Sequence, residues 1–377
     1  MLTALAVITL AACSSSKPPA DGPSTGPDVS WTAVDLPAGE EPVTLTPIGA
    51  DLLVGLRRPA ARVKPHLLVL AASGRRTDVP LKPQSPYAYE ARWHSVATDG
   101  TRIVAIGGAP GGAHSNTRWT TWTGTTAGLT EKPQGFNTFG GWGAGQLVAA
   151  VMTLAGTAIA GSWGSAKAGL DAAVWLPSGD RWVRQSSAGT ALESTQQLQV
   201  GARAGTSAGA GIVLAGSQLR LAPGVVEQHA MILRSTTLNS GWRLLELPEG
   251  GGRSEAVAAR CAATTCDVSG YVDGHLALWR LDGSGATRLP GVPGIPVTDK
   301  DVLPAPFETG GRTVQLVSDG GKLEVLTAHD GHWTLQHSHG PDGVITDAAL
   351  IGDTLYLIAG PAGGQAHLWR TDVTGIG

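Results

Sequence analysis

Charge is scarce in this chain. Only 15% of its residues are Asp, Glu, Lys or Arg, and 27 basic against 30 acidic side chains leave a formal net charge of −3. No stretch gathers Lys and Arg into a stripe, so the electrostatic footprint of a nucleic-acid binder is missing and no nucleic-acid partner is expected. Phe and Tyr are also few, three and four, against twelve Trp. A residue type used so unevenly points to a recurring position that prefers it. Capped amphipathic runs are lacking, which argues against a helical fold. The sequence has no phosphate loop, no dinucleotide fingerprint and no double Cys pair of zinc spacing. The segment Gly161-Ser162-Trp163-Gly164-Ser165 lacks the spacing and the strand-to-helix context of a hydrolase nucleophile. No catalytic residue, cofactor or metal site is assigned from these absences.

Only one apolar run is long enough to notice, Met1–Ala12, and it is too short to cross a bilayer core of ~30 Å as a permanent helix. It ends at Cys13, preceded by Leu10-Ala11-Ala12. These four residues resemble the lipobox of bacterial lipoproteins. The resemblance implies cleavage before Cys13, lipidation of Cys13, and an anchor on the extracytoplasmic face of the cell membrane. The chain departs from a usual signal peptide in having no Lys or Arg before the apolar run. Ser14 to Ser30 is rich in Ser, Pro and Gly and poor in apolar residues, a composition that reads as a tether. The expected division is therefore a signal peptide over residues 1–12, lipidated Cys and disordered tether over 13–30, and one domain over 31–377.

Two further cysteines, Cys261 and Cys266, flank four small residues. Outside the cytoplasm an even pair reads as a disulfide, pinning a tight strand-turn-strand. A metal pair is the alternative, without a second Cys pair or a nearby His in sequence to complete it.

Glycine is plentiful, 53 residues, and hydrophobic content is 42%. The regular unit is a short apolar strand, a Gly/Asp/Asn turn, and a second strand that often opens with Trp. Ala172–Leu176 runs through Ser178-Gly179-Asp180 to Trp182, Ala230–Arg234 through Asn239-Ser240-Gly241 to Trp242, and Leu323–Thr327 through Asp330-Gly331 to Trp333. Before such hairpins stand further apolar strands, among them 102–107, 211–216 and 354–360, several ending in Ala-Gly or Gly-Gly. Landmarks of the third strand fall near residues 68, 121, 175, 233, 279, 326 and 369. Four strands at this period is the spacing of propeller blades. The expected fold is all-β, a seven-bladed β-propeller, with six or eight blades as alternatives because residues 88–145 fit the template poorly.

Ring closure is legible too. Trp31-Thr32-Ala33-Val34-Asp35-Leu36-Pro37 matches Trp242-Arg243-Leu244-Leu245-Glu246-Leu247-Pro248, in which Trp leads and Leu-Pro follows. The second copy ends a complete unit, the first has no unit before it, and the final unit near Trp369 lacks such a tail. Residues 31–37 are therefore expected to be the outer strand of the last blade.

Two phrases, Ser178-Gly179-Asp180-Arg181-Trp182 and His329-Asp330-Gly331-His332-Trp333, resemble degenerate Asp boxes of sialidase-type propellers, where the box is a structural turn away from the active site. Leu56-Arg57-Arg58-Pro59 resembles the segment in which sialidases hold a substrate carboxylate by Arg. The triad of Arg, the Tyr nucleophile and its Glu partner cannot be placed around it. His329, His332, His337 and His339 cluster within eleven residues, with polar turn decoration favoured over metal binding. Gly- and Trp-rich loops over 109–122 and 136–163 offer Trp119, Trp122, Trp142 and Trp163 as candidate binding residues, able to stack on sugars or anchor a protein. The composite expectation is a membrane-anchored, monomeric binding or scaffold module for an envelope protein or glycan. A glycoside-acting, sialidase-like hydrolase is the alternative.

Overall fold

In the computed structural model, which describes residues 24–59, 63–111, 117–263, 265–283 and 285–376, seven antiparallel-core sheets succeed one another along the chain. We number them as blades 1 to 7. Their first strands are Glu41–Ile48, Arg92–Thr98, Ala144–Thr153, Leu198–Ala208, Ser254–Ala262, Phe307–Thr309 and Val344–Ile351. The first strand of each blade lies innermost and the fourth outermost, except that Leu81–Lys82 pairs outside the fourth strand of blade 2 and residues 24–30 outside that of blade 6. Every third-strand landmark read from sequence falls in a third strand, from Lys64–Leu70 in blade 1 to His367–Asp372 in blade 7.

The middle strands read as unbroken apolar runs because both of their faces are buried. In blade 4, strand Gly211–Ala222 sends Ile212 and Leu214 toward blade 3 and Val213 and Ala215 toward blade 5. Its neighbour Val225–Arg234 divides Met231 and Leu233 from Ala230 and Ile232 in the same way. This strand periodicity of two turns each blade into a double-sided wedge. Seven hydrophobic clusters result, one at each junction between neighbouring blades. Trp182 and Trp333 open fourth strands and are buried at 5% and 6% exposure, as the recurring Trp position requires. The Asp-box-like phrases are the turns before these two strands.

The ring closes as the sequence predicts. Thr32–Val34 is the outermost strand of blade 7, pairing antiparallel with Leu368–Arg370. Trp31 is buried, and its indole N–H donates to Ser338 Oγ at 3.1 Å. The tether reading needs correction at its end. Residues 24–30 are bound to blade 6: Ser24–Thr25 and Val29–Ser30 pair in parallel with its outer strand His332–Asp342. Val29 is buried, and Pro27 O accepts from Gln336 Nε2 at 2.8 Å. Backbone groups do most of this pairing, so a Ser/Pro/Gly composition can support it. Residues 1–12 and Cys13 lie outside the described residues.

A second regularity sits near the axis. In six blades the innermost strand carries an extra, bulged residue: Val43, His94, Val148, Arg203, Val257 and Thr346. Opposite or beside the bulge, five of the second strands place a glycine: Gly55, Gly107, Gly161, Gly216 and Gly270. A Cβ on Gly216 would come within 1.9 Å of Gly201 O, and one on Gly270 within 2.0 Å of Glu255 O. The Ala-Gly strand ends are thus demanded by close backbone approach at the bulge. Blade 5 adds the disulfide, Cys261–Cys266, which joins directly paired residues of its first two strands with Cα atoms 4.0 Å apart.

Candidate functional site

The starts of the first strands and the ends of the second strands share one face of the ring, which we term the upper face. Its loops include 132–143, within the stretch 88–145 that fits the blade template poorly. This loop carries a one-turn helix, Phe136–Phe139. Phe139 anchors it: the ring is buried and meets Trp175 edge-on at 5.5 Å, while Trp175 Nε1 donates to Thr138 O at 2.9 Å. Beyond the helix, Gly140-Gly141-Trp142-Gly143 leads directly into the first strand of blade 3, which opens with Ala144-Gly145. A Cβ on Gly143 would come 2.5 Å from Trp163 Nε1, and one on Gly145 2.1 Å from Ser162 Oγ. The glycines let the loop run this low, and Trp142 is left standing in solvent, fully exposed.

A cleft of about 460 Å³ opens between this loop and blade 2, lined by Thr117, Arg118, Trp119, Phe136, Phe139, Trp142 and Gln146 together with the loop's small residues. It adjoins a wider cavity of about 690 Å³ at the mouth of the central channel, which shares Thr117, Trp119 and Gln146 and adds Glu41, Arg57, Arg92 and His94. Gly108 keeps the floor of the wider cavity low, since a Cβ there would meet Thr117 Cγ2 at 2.5 Å.

The candidate Trp residues separate on this geometry. Trp119 lines both cavities and meets the His94 ring edge-on at 5.2 Å. Trp142 forms the outer lip of the cleft. Trp163 is partly buried, with Gly143 against its ring and Arg184 over it at 5.2 Å. Trp122 does not reach the cleft. It is fully buried between blades 1 and 2, edge-on to Trp93 at 5.5 Å. The reason is strand parity: Trp119 and Trp122 lie three residues apart on Thr117–Thr125, so they face opposite sides.

Three residues were not singled out from sequence. Arg118 lies between aromatic rings, its guanidinium 4.6 Å from the Phe136 centroid and 5.9 Å from that of Tyr87. Its Nε is buried without a hydrogen-bond partner, and no carboxylate pairs with it among the described residues. Arg92 is exposed at the channel mouth, also without an ion pair among the described residues. His94, the bulged residue of blade 2, faces the channel. Its side chain is exposed at the mouth, and the desolvation imposed by the surrounding walls lowers its pKa from the usual imidazole value, against a backbone hydrogen bond to Leu147. The only local signal for Arg118 was its place beside Trp119.

Arg57 and Arg58 behave differently. Arg57 Nε donates to Glu41 at 2.7 Å and Arg58 to Glu40 at 2.6 Å, with His66 completing the group on Glu40 at 2.5 Å. Glu41 is the only carboxylate on the described lining of the channel mouth, and Arg57 holds it. The His cluster of blade 6 disperses: His337 pairs with Glu324 at 2.7 Å and His339 with Asp28 at 2.7 Å. Among the described residues no three His, Cys, Asp or Glu side chains gather as a metal group would.

Asp347, just after the bulge of blade 7, caps blade 1 by accepting from Leu45 N–H at 2.8 Å. Burial pushes its pKa up to about 6, opposed by that hydrogen bond, by one from Ala348 and by the charge of Arg260. Ser95 does the same uncharged, accepting from Ala150 N–H at 3.0 Å between blades 2 and 3.

No protein-family model and no curated protein sequence matches the chain. Among solved structures it is similar to the β-propeller domain of the trilobed protease from Pyrococcus furiosus, with 10% identity and a TM-score of 0.55 over 88% of this chain and 95% of that one. It is also similar to acylaminoacyl peptidase from Pyrococcus horikoshii, with 10% identity and a TM-score of 0.53 over 91% and 54%. Prolyl oligopeptidase B from Galerina marginata matches with 9% identity and a TM-score of 0.52 over 89% and 50%. The chain thus spans about half the length of these two peptidases. At such identity the likeness establishes the fold, a seven-bladed β-propeller, and nothing finer.

Proposed function

We propose that this propeller is a binding module, held on the extracytoplasmic face of the membrane by lipid on Cys13, that takes an envelope glycan in the upper-face cleft of blades 2 and 3. The observation that carries the reading is the exposed indole of Trp142 at the lip of a cleft whose floor is Trp119. Flat aromatic faces with a wet edge suit the apolar face of a pyranose ring. A hydrolytic reading has less support, because the described channel mouth offers a single carboxylate already committed to Arg57, whereas glycoside hydrolysis in most families needs two.

The position of the N-terminal segment supports the same arrangement. Ser24 pairs beside Trp333 at the start of an outer strand, on the face opposite the cleft. Between Cys13 and Ser24 the chain can span at most about 40 Å. An anchor at Cys13 would therefore hold the lower face toward the membrane and turn the cleft outward. The test is titration calorimetry of the domain against soluble oligosaccharides from envelope glycans, with Trp142→Ala as control. Binding that Trp142→Ala abolishes is expected. Binding that survives Trp142→Ala unchanged would remove the cleft from the account.

A further inference from the structure

We infer that the ligand of this cleft is anionic: a polysaccharide bearing carboxylate groups, read by Arg118 and Arg92 on either side of Trp119. The inference rests on the glycan reading above and gives it a chemical class. Several arginines are held in ion pairs, among them Arg57, Arg102, Arg220, Arg253 and Arg280, while others that face solvent away from the cleft, such as Arg181 and Arg243, carry none among the described residues. Arg118 and Arg92 have no such partner among the described residues, and both line the continuous cavity that Trp119 joins.

Their placement follows from the strand ladder. Gly108 pairs with Arg92 on one side and with Trp119 on the other. The glycine opens the floor, so a ligand resting on Trp119 lies beside Arg92. Arg118 neighbours Trp119 in the chain and is held between Phe136 and Tyr87. Stacking fixes the guanidinium plane while its Nε stays unpaired. A pre-oriented planar cation with unused donors matches a carboxylate bidentately at little entropic cost. An aromatic floor between the held Arg118 and the exposed Arg92 suits a chain of rings that carries acid groups at intervals. A neutral glycan would cover the remaining N–H groups of the half-buried Arg118 guanidinium without offering a charge to meet them, which is costly for a charged donor.

The test compares an oligogalacturonate with the same oligosaccharide after reduction of its carboxyl groups, by titration calorimetry at two salt concentrations. Wild-type protein should bind the acidic chain at least about 10-fold more tightly, since a hydrogen bond to a charged group contributes ~1.5–3 kcal/mol. Added salt should narrow the gap. Arg118→Gln and Arg92→Gln should each lower the affinity for the acidic chain more than that for the reduced chain, and Arg118→Lys should restore part of the preference. Trp142→Ala should weaken both chains alike. Equal binding of acidic and reduced chains would overturn this inference and leave the glycan reading standing. Binding of neither chain, with poly-glutamate captured through the same arginines, would overturn both in favour of an acidic peptide.

Discussion

Removing the strand that closes the ring should unfold the domain far more readily than shortening the chain before it. The perturbation is deletion of residues 24–34, compared with deletion of residues 14–23. The first removes the Thr32–Val34 ladder on blade 7, the parallel pairing on blade 6, and the buried side chains Val29 and Trp31. Losing a buried Trp costs roughly 3–5 kcal/mol and a buried aliphatic about 2 more, before any account of the exposed strand edge. The sum, roughly 5–7 kcal/mol, is comparable to the whole stability of a domain, ~5–15 kcal/mol. Trp31→Ala isolates the largest part and should cost about 3 kcal/mol. It also leaves Ser338 Oγ without its indole donor. Urea unfolding followed by far-UV circular dichroism reads all three variants. The 24–34 deletion should lose most of its cooperative transition, Trp31→Ala should shift it to lower urea, and the 14–23 deletion should leave it in place. Equal midpoints for the two deletions would refute the closure and require the blades to be reassigned.

Three further outcomes are expected. The folded pKa of Asp347, about 6, lies above its ordinary value of 3.8, so the folded state holds the proton more tightly between the two. That carboxyl therefore costs stability as pH rises from about 4 to about 6, by at most roughly 3 kcal/mol, and the cost is constant above. Asp347→Asn should gain on wild type in urea midpoint between pH 4 and pH 7; a difference independent of pH would refute the assignment. Gly216→Ala should destabilise by about 2 kcal/mol or more, because its Cβ would meet Gly201 O at 1.9 Å, whereas Gly209→Ala, at positive φ in open space, should cost only about 1 kcal/mol; equal losses in thermal melts would contradict the bulge argument. Cys13→Ser should move the protein from the membrane fraction to the medium, and wild-type levels in the membrane would count against lipidation.

Blade architecture was legible because a strand buried on both faces must be apolar throughout, and the turns between such strands need Gly, Asp or Asn. Those two demands place the third strands of all seven blades. Closure was legible because Trp31 repeats the Trp242 pattern without a unit before it. Residues 24–30 escaped notice because they pair through backbone, and only Val29 has a side chain that looks like core. Blade 2 was obscured by its loop: Phe136–Phe139 is a helical turn that no strand template can contain. The cleft was half legible. A Gly-rich run holding Trp142 marked the loop, and strand parity already separates Trp119 from Trp122. Arg118 needed three dimensions, since Tyr87 and Phe136, which flank it, lie far from it in the chain.

The central claim, that the upper-face cleft binds a glycan, is tested most directly by replacing the twelve Trp residues with 5-fluorotryptophan and following each ¹⁹F resonance as oligosaccharide is added. Trp142 and Trp119 should shift with saturation while buried Trp122, Trp175 and Trp279 stay fixed. Shifts confined to residues outside the cleft, with Trp142 and Trp119 unmoved at saturation, would contradict that claim.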